Sequence, residues 1–319
     1  MLNNENLDHN KNLNLDKKTS ETNVALQILA FFIVSTFISV LILVCIPHFD
    51  INKENSSTLA WLANRLVSSS VSLVAAITAS ILCIKRFTNR SPYSLGYLPH
   101  KGFFKDFFFG CLVSFLMISS IAFLQWLLGG TQFFWALADR NISPIGLIAM
   151  LGVLFIAAFE EEVLFRGYPL QTLAFNLSPT LATIITSGLF GLIHIGNPNA
   201  TFFSTVNTVL AGVWLCVAYF KTRSLSLATG LHLGWNLSMG TIYGLPVSGI
   251  TRLTEYSFLN THDIGKTWLT GGSYGPEGGA IATVELIVGT IFLIKLPLLK
   301  ISPEMAKYFP KQQENLLKD

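Results

Sequence analysis

The chain has 319 residues, 51% of them hydrophobic and only 12% charged, with a mean hydropathy of +0.53 and a net charge of +3. Soluble domains carry about 25% charged residues. This composition excludes an ordinary water-soluble globule, gives no reason to expect a nucleic-acid partner, and makes the lipid bilayer the natural solvent.

Residues 1–23 are rich in Asn and Lys and read as a disordered polar tail. The apolar run near 24–47 is too long for a cleavable signal peptide and is expected to stay as a span. Further apolar runs follow near 66–84, 107–128, 144–160, 180–195, 202–220, 225–243 and 279–299. A helix needs about 20 residues to cross the hydrocarbon core. The expected fold is therefore an all-α integral membrane protein with about eight transmembrane helices. Three helices fall in 24–143 and a core group in 144–243. A Gly-rich external loop covers 244–278, and a last helix with a cytoplasmic tail covers 279–319.

Basic residues orient this scheme. With the N-terminus inside, the inner segments hold Lys11, Lys17 and Lys18, then Lys85, Arg86, Arg90, Lys101 and Lys105. Lys221 and Arg223 follow, and Lys295, Lys300, Lys307, Lys311 and Lys318 close the set. The outer segments hold only Lys53, Arg65, Arg140, Arg252 and Lys266. The bias of about three to one places both termini in the cytoplasm of a multi-pass protein of the cell's inner or plasma membrane. Cys45, Cys83, Cys111 and Cys216 sit in apolar runs without a CxxC pair and read as small buried hydrophobes.

Ionisable groups are costly inside a span and are retained where they act or are paired. Three clusters qualify. In Glu160-Glu161-Glu162-Val163-Leu164-Phe165-Arg166, Glu162 and Arg166 are one helical turn apart and are expected to pair. Glu161 then points about 100° away and is left for proton chemistry. Glu160 is read as a solvated acid. The second cluster is Phe190-Gly191-Leu192-Ile193-His194. In the third, His232 and Asn236 share a helix face, and Gly230 and Gly234 allow a neighbouring helix to come close.

If the fourth helix continues past Arg166 to about residue 173, it forms an antiparallel hairpin with the fifth. Glu161 and His194 then lie roughly 18 and 22 Å above the turn, and His232 and Asn236 roughly 10 and 17 Å above the start of their own helix. The clusters converge on one slab of the membrane. A carboxylate, two imidazoles and an amide around a buried cavity suit hydrolysis of an acyl bond. A Glu–His pair can take a proton from water, and a second His with Asn can donate to a tetrahedral oxyanion. The same Glu161, His194 and His232 also form a His₂Glu set that zinc could use.

The order EExxxR, FxxxH, HxxxN over residues 145–243 resembles the CPBP family, the type II CAAX prenyl endopeptidases and bacterial Abi proteins linked to bacteriocin processing. The resemblance implies an intramembrane endopeptidase, with Glu161 and Glu162 as the paired glutamates and Arg166 as the motif arginine. Phe190 and His194 match the second motif, and His232 and Asn236 the third. It implies that Glu161 and His194 activate water and that His232 and Asn236 hold the oxyanion. The implied partner is a peptide or membrane-protein substrate, prenylated or of the bacteriocin type. Thr270-Gly271-Gly272-Ser273-Tyr274-Gly275-Pro276-Glu277-Gly278 is similar to a loop of some bacterial members, with no role attached. The alternatives are a proton-coupled transporter and a catalytically silent membrane binding protein.

Overall fold

The computed structural model describes residues 23–46, 57–88, 90–136 and 143–308. The expected N-terminal tail, apart from Asn23, and the chain beyond Tyr308 lie outside the described residues, as do Lys53 and Arg140. Each of the apolar runs folds as a helix, and most helices begin at a side-chain cap. Asn23 Oδ1 accepts from the Ala25 N–H at 2.9 Å to start α1, Val24–Cys45. Ser57 caps α2, Thr58–Phe87. After α3, Phe103–Leu127, Ser143 and Pro144 open α4, Pro144–Arg166.

A short α5, Tyr168–Asn176, leads to α6, Pro179–Ile193, which Ser178 caps. Thr201 and Ser204 form a reciprocal capping box at the start of α7, Phe202–Thr222. Ser224 caps α8, Leu225–Leu237, which widens into a π-turn over Ser238–Tyr243. The last long helix is α9, Ala280–Lys295.

The chain is an all-α, multi-pass membrane protein. Five helices among the described residues are long and apolar enough to cross a bilayer: Val24–Cys45, Thr58–Phe87, Phe103–Leu127, Pro179–Gly196 and Phe202–Thr222. That is fewer than the eight expected. Of the other runs, α8 and α9 have only 13 and 16 residues. The outward faces carry bare apolar side chains, such as Leu29, Ile33, Phe37 and Leu41 on α1 and Val284, Val288 and Ile291 on α9. Hydrocarbon can cover such faces, because every backbone polar group within a helix is bonded internally.

Two features depart from the expected helices. The fourth helix does not run on to residue 173. It stops at Arg166, where the Gly167 N–H reaches back to the Glu162 carbonyl, and α5 begins anew with Pro169 in its first turn. Pro169 therefore opens a helix rather than kinking one. The fold also holds one two-stranded ribbon. Here β1, Thr131–Trp135, pairs antiparallel with β2, Leu259–Asp263, with Thr131 opposite Asp263 and Trp135 opposite Leu259. The ribbon fastens the 244–278 segment to the end of α3.

Among the described residues the most extensively packed helix pair is α3 with α8. A Cβ on Gly230 would lie 2.1 Å from the Phe107 carbonyl oxygen, and one on Gly234 would lie 2.6 Å from the Cys111 Cα. Only glycine permits this approach. Ser114 Oγ donates to the Leu231 carbonyl at 2.6 Å in the same seam. Around it Met117, Ile121, Trp214, Leu231 and Trp235 form one buried cluster. Phe31, Tyr168, Leu170 and Tyr219 belong to a second.

Candidate active site

The last turns of α4 present the carboxylates. Glu162 and Arg166 are fully buried and pair at 3.1 Å, Arg166 Nη1 donating to Glu162 Oε1. A buried ion pair offsets its desolvation better when further groups partner it. Arg166 Nη2 donates to the Gly212 carbonyl of α7 at 3.1 Å, and its guanidinium stacks 4.4 Å from the centre of the Phe190 ring. The same Glu162 Oε1 also reaches α8, where His232 Nδ1 lies 2.9 Å away, while Glu162 Oε2 and Arg166 Nε are buried without a protein hydrogen-bond partner.

Glu161 sits on the neighbouring face. Its Oε2 lies 3.8 Å from His194 Nε2 and 3.8 Å from His232 Nε2. His194 ends α6, and its Nδ1 lies 2.7 Å from the Phe190 carbonyl. A carbonyl only accepts, so Nδ1 carries the proton and a neutral ring turns the Nε2 lone pair toward Glu161. His232 is placed alike, with Nδ1–H donating to Glu162. Glu161 Oε2 is buried and makes no hydrogen bond to protein. Glu161 Oε2 and His194 Nε2 thus present acceptors across a gap wider than a hydrogen bond, with His232 Nε2 beside them. Such a group calls for a small donor in its midst.

These residues line a cleft of about 640 Å³. Glu161, His194, His232 and Asn236 form its floor, and Trp61 and Arg65 of α2 and the Val247–Leu253 segment form its walls. The structure therefore brings together every residue the sequence nominated: Glu161, Glu162, Arg166, His194, His232 and Asn236. It corrects the reading of Glu160 as a solvated acid. Glu160 is half-buried within the bundle, bonds toward Ser69 and Ser72 of α2, and lines the cleft, because α4 runs on beyond it. A second cavity of about 700 Å³ lies between the ribbon and the Gly-rich segment, and none of the nominated residues line it.

One residue escaped the sequence reading. Glu277 belongs to the Gly-rich segment, yet it lines a cavity of about 30 Å³ with Phe190, His194, His232 and Asn236. Burial pushes its carboxyl above the ordinary carboxylate range, against the opposing pull of Ser248, Trp235 and the nearby His194. Its signal in the sequence was a lone acid among glycines.

Zinc was the alternative use of Glu161, His194 and His232. Tetrahedral zinc with ~2.1 Å bonds sets its donors ~3.4 Å apart, closer than the 3.8 Å found here. Among the described residues no group of three or more His, Cys, Asp or Glu is drawn together tightly enough to hold a metal ion. The arrangement does not fit a metal as it stands, and the chemistry below uses side chains and water.

Residues 143–238 match the family model described as type II CAAX prenyl endopeptidase Rce1-like. The chain thus carries an Rce1-like CAAX prenyl protease (CPBP/Abi) domain over this part of its length, and every nominated site residue falls inside it. The chain is also similar to the uncharacterized protein YyaK of Bacillus subtilis (strain 168), with 26% identity over 159 residues. That alignment covers 48% of this chain and 52% of YyaK, so the chain spans about half the length of the curated relative it matches.

Proposed function

We propose that the chain is an intramembrane endopeptidase that cuts a peptide bond of a membrane-embedded or membrane-associated substrate, prenylated or of the bacteriocin type. The observation that carries this reading is the convergence of Glu161 Oε2 with two imidazole Nε2 atoms, each at 3.8 Å, on the floor of a cleft. A water molecule between them finds acceptors for both of its protons. Glu161 and His194 then take one proton as the water oxygen attacks the substrate carbonyl. The oxyanion that forms accepts from the Asn236 side-chain amide and from His232 Nε2–H. His232 donates at both nitrogens only as an imidazolium, whose charge Glu161 and Glu162 face. Collapse of the intermediate breaks the C–N bond, and Glu161 returns its proton to the departing amine.

Eight crossings with both termini in the cytoplasm suit this site. Two hydrogen bonds and a stacking pair gather the basic segments expected inside. The Lys101 N–H donates to Glu304, Lys221 Nζ donates to the Ile294 carbonyl at 3.0 Å, and Tyr93 stacks on Tyr308. Arg65 and Arg252, expected outside, both lie over Trp61 at the far end. A short span such as α8 is acceptable where neighbouring protein rather than lipid surrounds it.

The test is a comparison of protein termini in membranes holding the wild type or the Glu161→Gln variant. New termini that appear only with the wild type identify the substrate. Identical termini in both remove the hydrolytic reading.

A further inference from the structure

The stretch Thr270–Gly278 has no part in the chemistry above, yet it cradles the turn that walls the cleft. Val247, Ser248, Gly249 and Ile250 form a tight turn closed by the Ile250 N–H on the Val247 carbonyl at 2.8 Å. Its two central residues both have positive φ, 47° at Ser248 and 82° at Gly249, the type I′ pattern. A serine is an unfavourable occupant of that region, so something outside the turn must hold it there. Glu277 does so. Its Oε2 accepts from the Ser248 N–H at 2.7 Å and from the Ser248 hydroxyl at 3.0 Å, while Oε1 accepts from the Trp235 indole at 3.1 Å.

The rest of the stretch completes the cradle. The Gly249 N–H donates to the Tyr274 carbonyl at 2.8 Å, and a Cβ on Gly275 would lie 2.1 Å from the Pro246 carbonyl oxygen. Asn207 of α7 fixes the latch from behind, donating to the backbone carbonyls of Glu277 at 2.8 Å and Gly279 at 3.0 Å. Trp235 adjoins Asn236 in α8. The carboxylate therefore ties the cleft wall to the helix that carries both groups of the proposed oxyanion site.

We propose that Glu277 is a positioning residue that latches the Val247–Ile250 turn to α8 and thereby sets the width of the substrate cleft opposite Glu161. This rests on the hydrolytic reading for its purpose, but not for its geometry. All three partners of the carboxylate are donors. A carboxylate only accepts, whereas a glutamine offers one accepting oxygen and a donating NH₂. Glu277→Gln must lose at least one of the three bonds, and any bond to Ser248 that it keeps loses its charge assistance, so the Ser248 N–H is held less tightly in either orientation of the amide.

The experiment uses the full chain in nanodiscs and has two readouts. The first is hydrogen exchange of the backbone. In Glu277→Gln the amides of residues 247–250 exchange about tenfold faster while those of α7 and α8 are unchanged, as expected for one lost hydrogen bond to a charged group. The second is cleavage of an internally quenched peptide ending in a farnesylated CAAX sequence. KM rises about tenfold and kcat stays within about twofold, since the wall binds substrate and does not touch the reacting atoms. If Glu277→Gln does not fold, Ser248→Ala, which loses only the hydroxyl bond, shows the same pattern at smaller amplitude. Unchanged exchange at 247–250 overturns the latch, and faster exchange with unaltered KM overturns its effect on the cleft. A wild type inert toward this peptide tells against the hydrolytic reading alone, and the exchange pattern still decides the latch.

Discussion

Glu162 and His232 meet at 2.9 Å across 70 positions of sequence, and the same carboxylate oxygen that receives His232 Nδ1 also receives Arg166. One buried atom thus fixes the rotation of α4 and the tautomer and aim of an imidazole on α8. With Nδ1 committed to Glu162, His232 can address the cleft only through Nε2. Glu161, one residue earlier, is left to face both histidines.

Glu161→Gln is expected to lower turnover by about 10³-fold or more, because an amide cannot take the proton from water. Its Oε2 has no protein partner to lose, so thermal unfolding in detergent stays close to wild type. Retained turnover in a folded Glu161→Gln protein would reassign the base.

Glu162→Gln is expected to act through stability. It removes the negative charge facing Arg166, which stays buried at 0% exposure beside neutral groups, among them the Gly212 carbonyl and the Phe190 ring. Breaking a buried pair in this way costs about 3–5 kcal/mol. A large fall in the unfolding midpoint checks it. An unchanged midpoint with turnover abolished would make Glu162 the chemical carboxylate instead.

His194→Asn and His194→Phe separate the two ring nitrogens. Asparagine can keep a donor for the Phe190 carbonyl, which His194 Nδ1 now meets at 2.7 Å, but offers nothing in place of Nε2. Turnover falls by about 10²–10⁴-fold in both variants. Only His194→Phe also strips the carbonyl of its donor and loses stability. Equal unfolding midpoints in the two would show that the Nδ1 bond does not orient the ring.

Chelation addresses the metal question. A mechanism carried by Glu161, His194 and water predicts that activity survives 1,10-phenanthroline and that purified active protein holds metal well below one equivalent. Activity lost on chelation and restored by zinc would hand water activation to a metal held by Glu161, His194 and His232.

The polar constellation was legible because helical periodicity is rigid. Positions 162 and 166, and 232 and 236, had to share faces whatever surrounded them, and a charge in an apolar run demands a partner. Backbone-level detail was harder to read. The break at Gly167 depends on a carbonyl five residues back, and a Gly-Tyr-Pro sequence suits either a kink or a fresh start. Strand β2 is Leu-Asn-Thr-His-Asp, too short and too polar to show a buried alternation, and it exists because β1 offers an edge. Glu277 was hidden for a similar reason. Its partners, Trp235 and Ser248, are 42 and 29 positions away, with no periodic relation among the three.

The glycine contact between α3 and α8 has a consequence for how change reaches the chemistry. Where carbonyl oxygens of one rod occupy the space in which side chains of the other would start, neither can roll or slip by a fraction of a turn. The height of His232 and Asn236 is therefore indexed to the main chain of α3, a helix that supplies no reacting group. A substitution within α3 that nudges its axis would misalign the reaction centre by displacement alone, leaving every polar side chain there intact.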